Sequence, residues 1–153
     1  MPAFLHTIRR ATPLFVLLLG IAGTPLVARS ATDEQVVTGT WRLTAAVDGA
    51  DISSLDEHQA RRLLGKRFII THEKIQFGKE TCPEPSFEAK SVEPRLYVRE
   101  EFRADAMNLK LPNPATVVNL GCTAAFIKTP DKLLIFWGGW FFDAVRVAAP
   151  RRR

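Results

Sequence analysis

The segment that most constrains the fold is LLIFWGGWFF at residues 133–142, which holds five of the fourteen aromatic residues of the chain. Gly138-Gly139 predicts a two-residue hairpin turn, because glycine accepts the positive φ angles of tight primed turns. Residues 132–137 should then pair with residues 140–147. Alternation along these strands places apolar side chains on both faces near the turn. We therefore expect one face to fill the interior of a sheet and the other to pack beneath a helix or a loop.

Two other interpretations of this hairpin lead to a membrane or to a binding surface. A transmembrane strand pair would need further lipid-facing strands to close a barrel, and the rest of the domain is too polar to supply them. An exposed aromatic patch would indicate a surface that contacts a partner. Trp137 and Trp140 flank the turn, so they are the candidate binding rim.

The first thirty residues are typical of a secretory signal peptide. Arg9 and Arg10 precede a short apolar run, and the small residues Ala28 and Ser30 suit a cleavage site before Ala31. The most apolar stretch, residues 14–22, is shorter than the roughly 20 residues that span a bilayer. The sequence therefore predicts a mature protein of the periplasm or the extracellular space, with no transmembrane segment.

The charge of the predicted mature domain gives no support for nucleic-acid binding. Residues 31–150 carry 15 basic and 16 acidic side chains. The high isoelectric point of the chain therefore comes from its two ends, which include the basic tail Arg151–Arg153. Nucleic-acid binding needs clustered phosphate-neutralising side chains, and the sequence shows no such stripe in residues 31–150.

From Val36 onward, short β-type runs alternate with turn residues, and no βαβ rhythm is present. This pattern predicts a mostly β domain over residues 31–149, in which about eight short antiparallel strands form a barrel; a two-sheet sandwich is the alternative. One helix of about three turns is expected after the first strand, with a Ser54/Glu57 capping box and Gly65 at its end. Residues 96–102 are expected to be a strand, and residues 103–115 a mobile loop.

Cys82 and Cys122 are the only cysteines in the chain. Two cysteines in an oxidising compartment usually pair, which predicts a disulfide. Closing a loop of this length would stabilise the fold by about 4 kcal/mol. Zinc binding would need histidines, and His58 and His72 do not follow the spacing of a known ligand set. We expect neither a metal nor another cofactor.

Three features resemble the calycin group, the lipocalins and their relatives. Gly39 and Trp41 form a Gly-x-Trp signature at the start of the first strand, and TPD at residues 129–131 is similar to the second motif of the group. Arg146 lies near the end of the last strand, where a lipocalin-type arginine would stack on Trp41. The resemblance implies that Gly39, Trp41 and Arg146 close the barrel and are not catalytic. In size, the chain is similar to small bacterial lipocalin-like barrels that inhibit secreted proteases.

No known catalytic motif is present in the sequence. It has no nucleophile elbow, no His-Glu-x-x-His helix, no phosphate-binding glycine loop and no dinucleotide fingerprint. His58 follows Asp56 and Glu57, but consecutive residues diverge around a helix axis. Glu100 and Glu101 alternate in direction along the expected strand. We therefore expect a protein that is not an enzyme.

Two functions remain open at this point. One is a macromolecule-binding module, an inhibitor or an envelope accessory factor, whose anchors are Trp137, Trp140 or the loop at 103–115. The alternative is a carrier that holds a small hydrophobic ligand in a hollow barrel lined by Phe68, Ile70, Phe77 and Phe136. The first is favoured, because a small barrel filled by its own side chains leaves its surface for binding.

Overall fold

The structure is a computed structural model, and it describes residues 33–148. The predicted signal peptide at residues 1–30 and the basic tail at 150–153 lie outside the described residues. Within the described part of the chain, no helix is both long and apolar enough to cross a membrane.

Nine antiparallel strands form a single curled sheet, a half-barrel that is compatible at class level with a calycin-like barrel. The mostly β, antiparallel fold predicted from the sequence is thereby confirmed. The sheet order is β4-β3-β2-β1-β9-β8-β7-β6-β5. The strands are β1 (Gly39–Gly49), β2 (Arg67–Ile70), β3 (Lys74–Phe77), β4 (Glu80–Pro83), β5 (Glu88–Val92), β6 (Ala115–Asn119), β7 (Ala124–Thr129), β8 (Lys132–Trp137) and β9 (Trp140–Arg146).

Contacts between distant strands show how strongly the sheet curls. β2 and β8 are three strand positions apart, which in a flat sheet would separate them by about 14 Å. Nevertheless, the ring centroids of Phe68 and Trp137 lie 5.3 Å apart. At the sheet ends, the disulfide joins Cys82 of β4 to Cys122 in the β6–β7 turn, with 6.4 Å between their Cα atoms. The two ends of the sheet therefore approach each other across the concave face.

The aromatic hairpin forms as the sequence predicts. Gly138 and Gly139 have φ angles of 60° and 85°, and Trp137 pairs with Trp140 across the turn. Both faces of the hairpin are covered. Leu133 and Ile135 are buried on the concave face, whereas Leu134 is buried on the convex face.

Each face of the sheet carries its own apolar cluster. The inner cluster fills the concave face and contains fifteen buried residues: Val37, Trp41, Leu43, Ala60, Phe68, Ile70, Ile75, Phe77, Val118, Leu120, Ala125, Leu133, Ile135, Phe142 and Ala144. The outer cluster lies on the convex face of β6–β9 and contains eight: Val98, Leu109, Ala115, Val117, Ala124, Phe126, Leu134 and Phe141. The face alternation predicted for the hairpin is what separates the two clusters.

Two short helical segments lie on the inner-cluster side of the sheet. Residues 33–37 are helical (α1), and α2 (Glu57–Arg61) follows β1 where the sequence predicts a helix. The predicted length and capping box of α2 were wrong. Its N-cap is Asp56, which forms a reciprocal capping box with Gln59, so the helix begins later and spans only five residues. Ala60 is its buried contact with the sheet.

The strand predicted at residues 96–102 is wrong, because the chain forms helix α3 (Pro94–Phe102) there. The Glu93 carboxylate accepts hydrogen bonds from the backbone N–H groups of Arg95 and Leu96, at 3.2 and 2.6 Å. Pro94 occupies the first turn, where its missing N–H is not needed. Arg103 ends the helix in a left-handed conformation, with φ 49°. These local signals prevailed over the strand-like alternation.

Helix α3 covers the outer cluster with residues spaced four apart. Pro94 and Val98 are buried, and Phe102 is half-buried among aromatic rings. This is the spacing of one face of an α-helix. A 3₁₀ turn, Met107–Leu109, then brings the buried side chain of Leu109 onto the same cluster. The segment expected to be a mobile loop thus packs against the sheet.

Candidate functional site

The residues predicted to close the barrel meet where β1 begins and its neighbour β9 ends, and Trp41 pairs there with Arg146. The guanidinium carbon of Arg146 lies 4.3 Å from the ring centroid of Trp41, which is fully buried. The Trp41 Nε1–H donates to the carbonyl oxygen of Val37 at 2.8 Å. The guanidinium of Arg146 therefore stacks over the indole, and the same indole is hydrogen-bonded to Val37 at the end of α1.

Arg146 also ties three chain segments together through its N–H groups. It donates to the carbonyl oxygens of Thr38 at 3.0 Å, Pro130 at 3.3 Å and Val36. Gly39 leaves room for this side chain, since a Cβ at its position would lie 2.7 Å from the guanidinium. Gly39, Trp41 and Arg146 thus form one packed unit, in which each guanidinium nitrogen of Arg146 donates to a backbone carbonyl of the protein.

The candidate binding rim is engaged in internal contacts. Trp137 is half-buried, and its ring lies edge-on to Phe68 and Phe77 with centroid distances of 5.3 and 5.7 Å. Trp140 is also half-buried, and its Nε1–H donates to the carbonyl oxygen of Leu55 at 2.8 Å. Both indoles therefore contribute to the packing of the inner side of the sheet.

The segment before α2 covers the hairpin turn itself. The backbone N–H of Ser54 donates to the carbonyl of Gly138 at 3.1 Å, and that of Ala50 donates to the carbonyl of Gly139 at 2.8 Å. A Cβ on Gly139 would lie 2.3 Å from the Cα of Ser53. The turn is thus closely covered by backbone, and little of it remains available to a partner.

A different surface, which we call the arginine groove, lies between α3 and the segment that follows it. It is an open groove of about 520 Å³ lined by Asp51, Arg95, Arg99, Arg103, Ala104, Asp105, Ala106 and Met107. The three arginines are exposed and stand four residues apart, one position after the residues with which α3 covers the outer cluster. The same helical repeat therefore packs α3 on the sheet and lines the groove with positive charge.

The arginines of this groove lack internal partners. Among residues 33–148, none of their guanidinium groups makes a hydrogen bond or an ion pair. The two carboxylates of the groove are not paired with them either. The Asp105 carboxylate accepts a hydrogen bond from the backbone N–H of Met107 at 2.8 Å. The Asp51 carboxylate forms no ion pair among residues 33–148, although the backbone N–H of Asp51 donates to the carbonyl of Arg103 at 3.1 Å. The groove thus presents three unpaired cations to solvent.

This arrangement has opposing effects on the helix itself. Like charges at positions i and i+4 destabilise a helix by about 0.2–0.5 kcal/mol per pair, and Arg95–Arg99 and Arg99–Arg103 are two such pairs. Arg95 also lies in the first turn, where the helix dipole disfavours a cation. The acidic group at this end of the helix, the Glu93 carboxylate, is bound to the backbone N–H groups of Arg95 and Leu96 and forms no ion pair with the Arg95 guanidinium. Arg99, in the last turn, and Arg103, at the C-cap, are in contrast favourably placed for the helix dipole. These opposing effects are of similar size, so helix stability alone gives no net preference for the arginine row.

A second hollow extends the arginine groove along the same side of α3. It has a volume of about 400 Å³ and shares Arg95, Ala106 and Met107 with the first. At its far end it reaches Lys110, a fourth exposed cation. Met107 lies between the two hollows with 68% of its surface exposed, one of the few large apolar side chains left so open. Glu93 also lines the second hollow, and its carboxylate accepts from backbone N–H groups of α3. The combined surface thus carries four cations and three carboxylates and is partly apolar.

The described residues assemble no recognisable catalytic or metal centre. No group of three or more His, Cys, Asp or Glu side chains within residues 33–148 could hold a metal ion. His72 pairs with Glu34, with 2.8 Å between its Nδ1 and a carboxylate oxygen, and His58 is on exposed α2. The pKa of Tyr97 is raised above its ordinary value by burial and secondly by the Glu101 carboxylate.

The sequence interpretation missed the arginine groove because it assigned residues 96–102 to a strand. On a strand, residues four apart share a face, but so do residues two apart, and Tyr97 and Glu101 would then have interrupted the basic row. On a helix, Arg95, Arg99 and Arg103 form an uninterrupted edge. The signal that could have found it is Glu93-Pro94 as a helix start. Contrary to the expectation from the sequence, residues 31–150 thus contain a short row of basic side chains, at Arg95, Arg99 and Arg103.

We compared the chain with protein-family models, curated proteins and solved structures, and none of the three comparisons gave a match.

Proposed function

We propose that this protein is a non-catalytic binding protein of the periplasm or the extracellular space, and that it binds another macromolecule through the arginine groove. The observation that carries the proposal is the row of three unpaired arginines along one open groove. Arginine is enriched at interface hot spots, and its guanidinium forms strong charge-assisted bonds with anionic groups. An inhibitor or an envelope accessory factor would use such a surface.

The arginine groove is a better candidate than the tryptophans of the hairpin. Trp140 already donates its single side-chain N–H to the carbonyl oxygen of Leu55, and Trp137 is packed on two phenylalanine rings. A partner at the hairpin would have to replace these contacts. A partner at the groove would add contacts to Arg95, Arg99 and Arg103 without breaking any. Binding there therefore carries a smaller free-energy cost.

The inner cluster argues against the alternative of a ligand carrier. Phe68, Ile70 and Phe77 were expected to line a hollow, but all three are buried in the inner cluster. Phe68 contacts both Phe77 and Trp137, each at a centroid distance of 5.3 Å. Phe136 lies on the other face, next to Phe102 at 4.5 Å. Side chains of the protein thus occupy the space in which an apolar ligand would bind.

The disulfide supports the proposed location. Cys82 and Cys122 are bonded to each other, and within residues 33–148 there is no free cysteine. Disulfides of this structural kind form and persist outside the reducing cytoplasm. We further propose that residues 1–30 are the signal peptide that directs export, and that the half-barrel belongs with the lipocalin-related barrels.

Site-specific photo-crosslinking tests the proposed function. The full chain carries a photo-reactive amino acid in place of Met107 in the arginine groove, or in place of Lys79, an exposed residue of the β3–β4 turn. In cells that naturally produce the protein, we expect a discrete adduct from position 107 that is absent from position 79. The Arg95→Gln, Arg99→Gln, Arg103→Gln variant should lose this adduct.

Two outcomes would contradict this proposal. If position 107 gives no adduct, or the same adducts as position 79, the groove does not bind a macromolecule.

Mass spectrometry of solvent extracts from the purified protein tests the carrier alternative separately. We expect no bound apolar compound, and one compound present at a stoichiometric amount would favour the carrier instead.

A further inference from the structure

We propose that the arginine groove binds an extended acidic segment of a partner protein, with carboxylate side chains at alternate positions. This inference rests on the proposed function and specifies the chemistry of the partner. It is carried by the spacing of the cations, by their position in an elongated groove, and by the carboxylates that line the hollows with them, Asp51 and Asp105 in the first and Glu93 in the second.

The spacing of the arginines matches that of an extended peptide. Residues four apart on a helix are displaced by about 6 Å along its axis. Alternate side chains of an extended strand are about 6.6 Å apart and lie on the same face. A strand laid along α3 would therefore present successive carboxylates to Arg99 and Arg95. Arg103, the C-cap residue beyond the helix, lines the same groove and can bind a further carboxylate. The small difference per step is within the reach of a flexible arginine side chain.

The shape of the surface favours a peptide over a compact anion. The two hollows share Arg95, Ala106 and Met107, and together they run from Arg103 to Lys110. A single phosphate or carboxylate would meet only part of this row. A segment of several residues can contact all four cations, and its intervening side chains can pack on exposed Met107.

The carboxylates of the groove disfavour the two other polyanions that arginines commonly bind. Asp51 and Asp105 line the same groove as the arginines, so a closely spaced row of phosphates would meet repulsion there. An anionic membrane surface would fit a flat or protruding basic face, whereas these arginines line a recess between α3 and the segment after it. A peptide with carboxylates only at alternate positions can place its neutral residues beside Asp51 and Asp105.

Guanidinium groups also suit carboxylates in a specific geometry. The planar guanidinium pairs with a carboxylate through two parallel N–H···O bonds, which lysine cannot form. Three of the four cations along the groove are arginines. The backbone N–H groups of α3 are mostly occupied within the helix, so recognition would rely on side chains. We therefore expect binding that weakens steeply as salt is added.

Fluorescence anisotropy with defined peptides tests the inference. The probe is a labelled peptide with glutamate at every second position and threonine between. Two comparison peptides carry glutamine in place of glutamate, or the same glutamates in one uninterrupted block. We expect the alternating peptide to bind best at low salt. The Arg95→Gln, Arg99→Gln, Arg103→Gln variant should bind it at least about tenfold more weakly, since three charge-assisted contacts are lost.

A matched variant controls for the change in net charge. Arg42, Arg62 and Arg67 are exposed and lie outside the groove. Replacing all three by glutamine removes the same charge and should leave the affinity for the alternating peptide within about twofold. In the opposite direction, Asp51→Asn removes a negative charge from the groove and should strengthen binding a few-fold. Circular dichroism of each variant verifies the fold.

Each other outcome of this experiment contradicts the inference. Equal weakening in both triple variants would show general electrostatics, and equal binding of the blocked peptide would remove the spacing argument. Tighter binding of a single-stranded oligonucleotide, or of phosphatidylglycerol vesicles, would identify a different polyanion. If the peptide does not bind but position 107 still gives an arginine-dependent adduct, this inference fails and the proposed function stands. If the adduct is also absent, both fail.

Discussion

The aromatic hairpin of β8 and β9 and the arginine groove are the two surfaces at which residue types typical of binding sites come together. At the hairpin, Trp140 donates to Leu55 and Trp137 packs on Phe68 and Phe77. At the groove, none of the three guanidinium groups has a partner among the described residues. The difference is that the polar atoms of one surface are satisfied inside the fold and those of the other are not.

This comparison shows why residue type alone is a weak guide to a binding site. Tryptophan and arginine are both enriched at interfaces, but each also stabilises folds. Arg146 shows the second use, because its N–H groups bind backbone carbonyls and its plane stacks on Trp41. A binding role is better supported where the contacts of a side chain within the fold leave its charge or its polar atoms unpaired.

The largest effect that we predict concerns Trp137. Trp137→Ala removes a half-buried indole from its contacts with Phe68 and Phe77, and should lower the free energy of unfolding by about 3 kcal/mol. Urea denaturation followed by circular dichroism measures this change as a shift of the midpoint. Met107→Ala is the control from the groove, and should change stability by less than about 0.5 kcal/mol. If both variants lost similar amounts of stability, Trp137 would be no more firmly packed in the fold than Met107, and the contrast between the hairpin and the groove would fail.

A smaller loss of stability is expected at the hairpin turn. Gly139→Ala places a methyl group against Ser53 in a backbone conformation that disfavours side chains, with φ 85°. Strain and crowding together should cost about 2 kcal/mol. Gly78 is the matched control, since its φ is 61° and nothing lies within 4 Å of an added Cβ.

Gly78→Ala should cost only about 1 kcal/mol, because only the backbone conformation is unfavourable. Thermal or urea unfolding of the two variants gives the difference directly. If both lose the same stability, the segment at 51–56 does not cover the turn in solution. The tryptophans would then be accessible, and the hairpin would again be a candidate binding surface.

Much of the fold could be predicted from local patterns in the sequence. Gly138-Gly139 fixed the turn, and strict alternation on both sides of it assigned Leu133 and Leu134 to opposite faces correctly. These signals are strong because a one-residue shift would expose every buried side chain of the hairpin. Curling of the sheet encloses the inner cluster, whereas α3 and the 3₁₀ turn cover the outer one.

The candidate site could not be predicted in the same way. Residues 94–103 contain Leu96, Tyr97 and Val98, whose types are compatible with a strand, and Leu96 is in fact 45% exposed. Only the helix brings Arg95, Arg99 and Arg103 into one row. The groove also needs the 3₁₀ turn that buries Leu109 and holds Met107 opposite α3. Glu93-Pro94 is a local signal for the helix, but the packing of the 3₁₀ turn against the sheet has none.

The groove arginines should contribute little to stability. The Arg95→Gln, Arg99→Gln, Arg103→Gln variant removes two repulsive pairs, but it also removes two cations that the helix dipole favours at the C-terminal end of α3. It breaks no ion pair of the described residues, so the free energy of unfolding should change by about 0.5 kcal/mol at most. Urea denaturation at low and high salt measures the change. A loss of more than about 1 kcal/mol would show that these arginines act in folding.

The smallest predicted effect is a change in the titration of Tyr97, a partly buried residue of α3 that packs against the outer cluster. Its ring contacts Phe102 and Phe126 at centroid distances of 6.0 and 6.1 Å. Burial, and secondly the carboxylate of Glu101, raise the pKa of Tyr97 above its ordinary value, because both disfavour the phenolate. Tyr97 is the single tyrosine of the chain, so phenolate absorbance reports on it alone.

Because the pKa of Tyr97 is higher in the folded protein, its contribution to stability is fully present below the ordinary pKa of tyrosine and is lost as pH rises toward the folded value. An absorbance titration of the native protein should therefore give a higher pKa than that of the urea-unfolded chain. Glu101→Gln should lower the native value only partly, since burial is the larger cause. A native pKa equal to the unfolded one would show that α3 does not pack on the outer cluster, and that the arginine row has no fixed groove to line.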